Sequence, residues 1–336
     1  MRQPSDSLLL AIILNRNELD LTVRCIASLK AQTVGLDILV IDNDSDEDPG
    51  DALKGKFPDI FIRKNPVNRG VAGGRNIGID FAIQNRYPYV LLMDNDAFAD
   101  TGMVAHLFEA AKRNPKAGIL GPKILMDGAS RVIWRAGCTS WKWTYLHAGY
   151  TILKRFYQLI DKPLPRIFDT TRGENQLDRG QFDTEEDIDF QIGCTQFIKT
   201  EIFDSVGRLD EAFSPYGCED IDFCIRAKNR GWRIIYVPRA FCWHRITSSF
   251  RDEYERSFFN TRNILLLARR HLQPLYFWLL YFPDFILLTL PLMVLDNIFH
   301  KRHMRLRAVA DAVAWHMTDI RKRKVFLSPD TWEKNE

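Results

Sequence analysis

Two carboxylates at the end of a predicted strand are placed to bind a divalent cation. Asp94 and Asp96 flank Asn95, directly after the apolar run 90–93. Carboxylate oxygens are hard ligands that suit Mg²⁺ or Mn²⁺, and such an ion neutralises charge on a departing phosphate. An Asp-x-Asp triplet alone is common in turns, so its position after a buried strand is what favours a metal site.

A second acidic pair, Glu219 and Asp220, begins a predicted helix. A carboxylate that points from a helix start into a cleft can act as a general base and take the proton of an acceptor hydroxyl. Acidic residues in a first helical turn also stabilise the helix dipole without doing chemistry. For Asp222 we expect that structural role, or an ion pair with Arg226 one turn later.

Three further features are ambiguous when taken alone. Asp42 ends a predicted strand, where it could accept a hydrogen bond from a nucleotide base or ribose, or simply form a turn. The glycine-rich stretch 68–78 could bring its backbone and Arg75 to a diphosphate, or could form a tight loop that lets a helix pack on a sheet. His244 lies among aromatic residues, where a lone histidine is more often a core residue than a ligand.

The elements that must position these residues alternate between strand and helix. We predict strands at residues 8–14, 36–41, 60–63, 89–93, 192–199 and 233–237, and helices at 19–31, 74–85, 200–206 and 219–230. This alternation predicts an α/β fold with a Rossmann-like, mostly parallel sheet and flanking helices, which binds ligands beyond the carboxyl ends of its strands. The stretch 127–189 has little periodicity, and we interpret it as a loop-rich insertion.

The composition changes near residue 250, which predicts a catalytic domain over 1–250 and a basic, helical region over 251–336. The apolar run 275–295 is long enough, if helical, to cross a hydrocarbon core of roughly 30 Å. Pro283, Asp284 and Pro291 interrupt it, so a broken helical pair in or on the membrane interface is favoured over a single span or a soluble packing helix. The basic stretch 301–324 would attract anionic lipid, or form a solvated helix face.

Overall composition excludes disorder as the main state and does not indicate nucleic acid as a partner, because the net charge is only +3 over 336 residues. The six cysteines form no CxxC pair, which favours a reduced cytoplasmic setting over a zinc or disulfide framework. The first apolar run is short and is interpreted as a buried strand, not as a secretory signal.

Taken together, the motifs resemble family 2 glycosyltransferases with the GT-A fold, especially the rhamnosyltransferase-like branch. The matching segments are Leu14-Asn15, 41–45, 68–78, 94–96, 206–213, 219–226 and 231–238 leading to His244. They cover about residues 8–250. The chain departs from the family pattern at Asp44, where glycine is usual, at 193–195, and at Cys218 before the acidic pair.

The resemblance implies a role for each candidate residue. Asp42 would contact the nucleotide base, Asp220 would be the catalytic base, and Glu219 would orient the acceptor. The implied donor-binding residues are Asn15, Asp42, Asn68, Gly70, Arg75, Asn76, Asp94 and Asn95. The implied ligands of a Mn²⁺ or Mg²⁺ ion are Asp94, Asp96 and His244.

The resemblance also implies an inverting transfer of rhamnose or a similar sugar from a dTDP- or UDP-sugar to a glycan or lipid-linked oligosaccharide. The enzyme would work in surface polysaccharide assembly at the inner face of the cytoplasmic membrane. A sugar nucleotidyltransferase is one alternative, but residues 15–18 make a poor triphosphate loop. A non-catalytic scaffold that binds nucleotide sugars is another, and the joint presence of the acidic residues and His244 argues against it.

Overall fold

The computed structural model describes residues 7–129, 131–139, 172–245, 252–299 and 303–317. Among these, residues 7–138 and 172–245 belong to one compact unit, the first unit. Residues 252–299 and 303–317 belong to a second unit. The predicted domain boundary near residue 250 lies outside the described residues.

The first unit contains strands and helices in the alternating order that the sequence predicts. Its strands are β1 (Leu9–Asn15), β2 (Asp37–Asn43), β3 (Phe61–Asn65), β4 (Tyr89–Asp94), β5 (Ala97–Ala99), β6 (Ala117–Met126), β7 (Val132–Arg135), β8 (Gln176–Leu177), β9 (Glu186–Asp187), β10 (Thr195–Lys199) and β11 (Arg233–His244). Its helices are α1 (Leu19–Lys30), α2 (Gly50–Lys56), α3 (Gly70–Gln84), α4 (Met103–Arg113), α5 (Ile202–Val206) and α6 (Glu219–Asn229), with a 3₁₀ turn at Glu211–Phe213.

The sheet confirms the predicted α/β class with flanking helices. Strands β3, β2, β1 and β4 are neighbours in that order and run parallel. Strand β10 then lies antiparallel between β4 and β6, and β11 pairs parallel with β6. The sheet is therefore mixed, with parallel pairing among β3, β2, β1 and β4 and again between β6 and β11.

Alternate residues of β1 pack against helices on opposite faces of the sheet. Leu9 and Ile13 belong to the large core cluster that includes α1 and α4 residues. Ile12 and Leu14 face α3, where a Cβ added at Gly78 would lie 2.4 Å from Ile12 and one at Gly74 would lie 2.3 Å from Leu14. These two glycines let the helix lie close on the sheet, so for them the packing interpretation of the glycine-rich stretch is correct.

Helix α3 begins at Gly70, four residues before the predicted start at residue 74. The glycine-rich stretch is thus mainly the first turns of a helix. Gly70 has φ +68°, and a Cβ there would lie 2.8 Å from the Pro215 carbonyl oxygen, which accepts a 2.7 Å hydrogen bond from the Val71 amide. A residue without a Cβ is needed for this approach of the segment 214–218 to the start of α3.

The described part of the stretch 127–189 is more ordered than predicted, because it contains β7, β8 and β9. Buried Lys123 on β6 donates to Asp178 Oδ2 at 2.9 Å and to Asp183 Oδ1 at 2.5 Å. These charged hydrogen bonds hold the segment 178–183 against the sheet. Residues 140–171 lie outside the described part.

The second unit is helical. Helices α7 (Glu253–His271) and α11 (His303–Met317) are joined by a 2.6 Å hydrogen bond from the Tyr254 hydroxyl to Asp311 and by an ion pair between Arg305 and Glu253.

Between these two helices lies a run of short helical elements. It consists of α8 (Pro274–Tyr276), a π-helix (Phe277–Tyr281), α9 (Phe282–Asp284), a π-helix (Phe285–Thr289) and α10 (Leu290–Phe299). The predicted interruption therefore takes the form of two π-helical stretches with no intervening loop. Wider turns accommodate a proline such as Pro283, which lacks an N–H and crowds the preceding turn. Within the described ranges, no helix has the length and apolar character needed to cross a bilayer.

Candidate active site

Asp94, Asp96 and His244 come together at one edge of the sheet. Asp94 ends β4, Asp96 follows it, and β11 pairs with β5 so that His244 lies opposite Ala97. One ligand atom from each of the three residues lies within 4.8 Å of the other two. The sheet register therefore brings His244 close to Asp94 and Asp96, which lie about 150 residues earlier in the sequence.

The spacing and chemistry of this cluster fit a divalent cation. His244 Nε2 lies 3.0 Å from Asp96 Oδ1. Two adjacent ligands of an octahedral ion are also about 3.0 Å apart when each metal–ligand distance is about 2.1 Å. Asp96 and His244 are buried, whereas the Asp94 side chain is 34% exposed and leaves one side of the cluster open. Two carboxylates and one imidazole form a donor set that suits a divalent cation.

His244 is fixed by two neighbours. Burial alone would lower the pKa of His244, but the hydrogen bond and charge of Asp96 raise it above the ordinary value. The Trp134 ring packs against the imidazole, with 4.4 Å between ring centroids. Sequence reasoning missed Trp134, which lies on β7 in the stretch predicted to be loop-rich. No spacing in the sequence indicates its contact with His244.

Asp220 lies in the first turn of α6 and accepts two backbone hydrogen bonds. The Gly193 amide donates to Oδ2 at 2.6 Å, and the Ile221 amide donates to Oδ1 at 2.8 Å. Burial nevertheless raises the pKa of Asp220. Burial, and then repulsion from Asp220, also raises the pKa of Glu219. A carboxylate that is fixed in place and more basic than usual is suited to accepting a proton.

Helix α6 is anchored by the ion pair that the sequence predicts. Arg226 Nε donates to Asp222 Oδ2 at 2.7 Å, and the Asp222 side chain is almost fully buried. The other guanidinium nitrogens of Arg226 donate to the carbonyls of Val206 and Arg208. The structural role predicted for Asp222 is confirmed.

Arg75 points into the protein. It is 2% exposed, and its Nη2 donates to Asp94 Oδ1 at 2.5 Å and to the Gly193 carbonyl at 2.8 Å. Its Nη1 lies 4.0 Å from Glu219 Oε1. Burial would lower the pKa of Arg75, but the charges of Asp94, Glu219 and Asp220 raise it. These contacts give Arg75 an internal role, and its contact with a diphosphate stays a prediction.

Asp42 is the penultimate residue of β2, and among the described residues only one of its two carboxylate oxygens accepts a hydrogen bond. Oδ1 accepts hydrogen bonds from Asn15 Nδ2 at 3.0 Å and Ser45 Oγ at 2.5 Å. Oδ2 is buried and has no hydrogen-bond partner within the described part of the chain. Buried acceptors are normally hydrogen-bonded, so this oxygen is suited to accept a hydrogen bond from a bound ligand, such as an N–H of a nucleotide base. Asn15 positions this carboxylate.

The remaining predicted donor-binding residues make contacts that fix loops. Asn68 Oδ1 accepts hydrogen bonds from Asn43 and from the Gly70 amide. Asn76 exchanges two hydrogen bonds with the Leu209 backbone, and Asn95 donates to Thr22. Direct contact of these residues with a donor stays a prediction.

The fold and the cluster at the sheet edge define the class of this protein. A crystal structure of GalNAc-T7 with UDP, GalNAc and Mn²⁺ superposes with a TM-score of 0.53 at 14% identity. That alignment covers 72% of this chain and 43% of GalNAc-T7, so the chain spans less than half of that protein. The mannosyltransferase PcManGT from Pyrobaculum calidifontis, in complex with GDP-Man and Mn²⁺, superposes with a TM-score of 0.50 at 16% identity over 95% of this chain and 78% of that one. The fold is that of the GT-A glycosyltransferases.

The sequence identifies the family within that class. The family model Glycosyl transferase family 2 matches residues 10–207, and the chain belongs to this family. The N-acetylglucosaminyl-diphospho-decaprenol L-rhamnosyltransferase of Mycobacterium tuberculosis is 26% identical over 260 residues, which cover 74% of this chain and 80% of that protein. The predicted family and enzyme class are confirmed.

Proposed function

We propose that this glycosyltransferase moves one sugar from a nucleoside diphosphate donor to an acceptor hydroxyl and inverts the anomeric configuration. The observation that carries the proposal is a continuous set of hydrogen bonds. It joins Asp220 through Gly193 and Arg75 to Asp94, which lies beside Asp96 and His244. Candidate base and candidate metal ligands thus belong to one site.

In the proposed reaction, Asp220 takes the proton of the acceptor hydroxyl as its oxygen attacks the anomeric carbon. The new carbon–oxygen bond forms as the bond to the diphosphate breaks, and the departing diphosphate keeps the electron pair. Attack from the face opposite the leaving group inverts the centre. Asp94, Asp96 and His244 would hold a divalent cation that offsets the charge on the leaving diphosphate. Positioning and charge stabilisation supply most of the rate.

The proposed donor is a dTDP- or UDP-sugar, with rhamnose or a similar sugar. The free Oδ2 of Asp42 suits the ring N–H of a pyrimidine base. The mycobacterial relative is named for L-rhamnosyl transfer, and the two solved glycosyltransferases contain UDP or GDP-Man with Mn²⁺. These relatives support a nucleotide-sugar donor and a divalent cation.

The proposed acceptor is a glycan or a lipid-linked oligosaccharide at the inner face of the cytoplasmic membrane. The relative is named for a diphospho-decaprenol acceptor, which is a membrane lipid. Leu275, Trp278, Leu279 and Leu287 of the second unit are exposed, and the sequence 301–324 is strongly basic. Exposed apolar side chains and basic residues together favour a peripheral position on an anionic bilayer.

The proposal is tested by assaying nucleotide release from a panel of dTDP- and UDP-sugars, with and without Mn²⁺, for the wild type and Asp220→Asn. Loss of a general base lowers the rate by about 10²- to 10⁴-fold. We expect that loss in Asp220→Asn, with donor binding by calorimetry nearly unchanged. Asp204→Asn, at an exposed aspartate of α5, is the matched control and keeps full activity.

Near-native transfer by Asp220→Asn would show that another group is the base. A wild-type protein that binds dTDP or UDP but never releases nucleotide from any donor would contradict the enzymatic proposal and favour a scaffold.

A further inference from the structure

Arg75 lies between the candidate metal ligand Asp94 and the candidate base Asp220. Its Nη2 donates both to Asp94 Oδ1 and to the Gly193 carbonyl. The amide of the same glycine donates to Asp220 Oδ2 at 2.6 Å. We propose that Arg75 and Gly193 are positioning residues that hold Asp94 and Asp220 in a fixed relative geometry, and that Arg75 does not bind the donor diphosphate. This inference rests on the proposed function of the site.

The charge balance of the site supports an internal role for Arg75. The guanidinium is buried and lies beside the carboxylates of Asp94 and Glu219, with Asp220 one hydrogen-bonded residue further. Buried carboxylates without a cation would repel each other and be costly to ionise. An arginine can donate in two directions from one rigid plane, which a lysine ammonium on a flexible chain does less well.

Gly193 is needed because there is no space for a side chain between Arg75 and Asp220. A Cβ at Gly193 would lie 2.8 Å from Arg75 Nη1 and 3.1 Å from Asp220 Oδ2. Gly193 is not among the residues with positive φ, so its backbone conformation tolerates alanine. Gly193→Ala therefore pushes Arg75 and Asp220 apart without removing a polar group.

The test compares Arg75→Lys and Gly193→Ala with the wild type in three measurements. These are Mn²⁺ binding alone by electron paramagnetic resonance, and kcat and donor KM with whichever dTDP- or UDP-sugar supports transfer. Loss of a residue that orients a metal ligand costs about 10- to 100-fold in metal affinity or activity. We expect that loss in the Mn²⁺ affinity and kcat of Arg75→Lys and in the kcat of Gly193→Ala. At Mn²⁺ concentrations that saturate each variant, donor KM should change by less than about threefold, because in this proposal Arg75 and Gly193 do not themselves contact the donor.

Gly35→Ala is the control, since Gly35 is exposed and a Cβ there would have no atom within 4 Å. Thermal melting checks that each variant folds. If Arg75→Lys does not fold, the kcat of Gly193→Ala tests the proposed positioning role by itself.

If Arg75→Lys keeps the wild-type Mn²⁺ affinity and kcat but has a raised donor KM, the inference is overturned and direct diphosphate binding by Arg75 is indicated. An unchanged kcat in Gly193→Ala would also overturn it. If the wild type itself neither binds Mn²⁺ nor transfers sugar, the proposed function has failed.

Discussion

At the scale of single residues, the candidate site contains two carboxyl groups whose surroundings raise their pKa. Asp220 is held by two backbone amides, yet burial still raises its pKa. Burial, and then the charge of Asp220, raise the pKa of the neighbouring Glu219 as well. A higher pKa makes a carboxylate a better proton acceptor, provided that it is ionised at the working pH.

The raised pKa of Asp220 predicts the acid side of the pH–rate profile. A general base works only when deprotonated, so kcat should fall as the pH is lowered through its raised pKa. The fall should therefore begin above the ordinary aspartate pKa of about 3.9. The measurement is kcat at saturating donor and acceptor between about pH 4 and pH 9. A kcat that stays flat down to the ordinary aspartate range would contradict the prediction.

Individual residues differ in how well the sequence predicts their surroundings. The resemblance to family 2 glycosyltransferases implied that Asp94, Asp96 and His244 share one site, and the structure brings the three side chains together. The sequence placed Arg75 near the start of a helix, but it did not reveal that α3 begins at Gly70 and that the Arg75 side chain is buried. Contact of Arg75 with a diphosphate stays a prediction. Asp44 occupies a left-handed conformation, with φ +68°, which explains why glycine is usual there.

At the scale of elements, periodicity predicts β1 to β4, α1 and α6 within a few residues. It missed α2, β5, α4 and β6, and it ended the last strand at residue 237, whereas β11 continues to His244. The direction of β10 and the pairing of β7 with β6 were not predictable, because strand order depends on contacts between distant segments. The role of Gly193 was missed for the same reason. Its neighbours Arg75 and Asp220 come from α3 and α6, and nothing in the local sequence brings them together.

The packing of α3 on β1 gives a stability prediction. Gly78→Val forces a side chain into the space occupied by Ile12, where even a Cβ would lie 2.4 Å away. Overpacking of this kind costs about 1–3 kcal/mol of unfolding free energy. Chemical denaturation measures the change. The matched control is Gly55→Ala in exposed helix α2, where a Cβ has open space and should stabilise the protein by about 0.5–1 kcal/mol. Equal stability of Gly78→Val and the wild type would show that α3 can move away from the sheet.

At the scale of the whole molecule, the second unit supplies exposed apolar surface. Leu275 is 71% exposed, and Leu279 and Leu287 are similarly accessible. The basic sequence 301–324 follows this surface along the chain. Composition predicted an apolar run and a basic tail, but the π-helical stretches that carry Leu279 and Leu287 could not be predicted from hydropathy alone.

Replacing Leu275, Leu279 and Leu287 with glutamine should weaken binding to vesicles that contain anionic lipid. Each leucine loses roughly 1.5–3 kcal/mol of burial energy at most, so the triple variant should remain largely unbound in a sedimentation assay. The control is Leu177→Gln in the first unit, which is 48% exposed and should leave binding unchanged. Equal sedimentation of the triple variant and the wild type would exclude these leucines as the membrane contact.

In the proposed enzyme, one site holds the cation, the diphosphate and the acceptor base. Anomalous scattering from Mn²⁺, in crystals grown with a non-hydrolysable nucleotide sugar, locates all three in one experiment. The predicted result is a manganese peak about 2.1 Å from ligand atoms of Asp96 and His244, with Asp220 facing the anomeric carbon opposite the diphosphate. A manganese peak elsewhere, or an Asp220 carboxylate on the same side of the anomeric carbon as the diphosphate, would contradict the proposed single site.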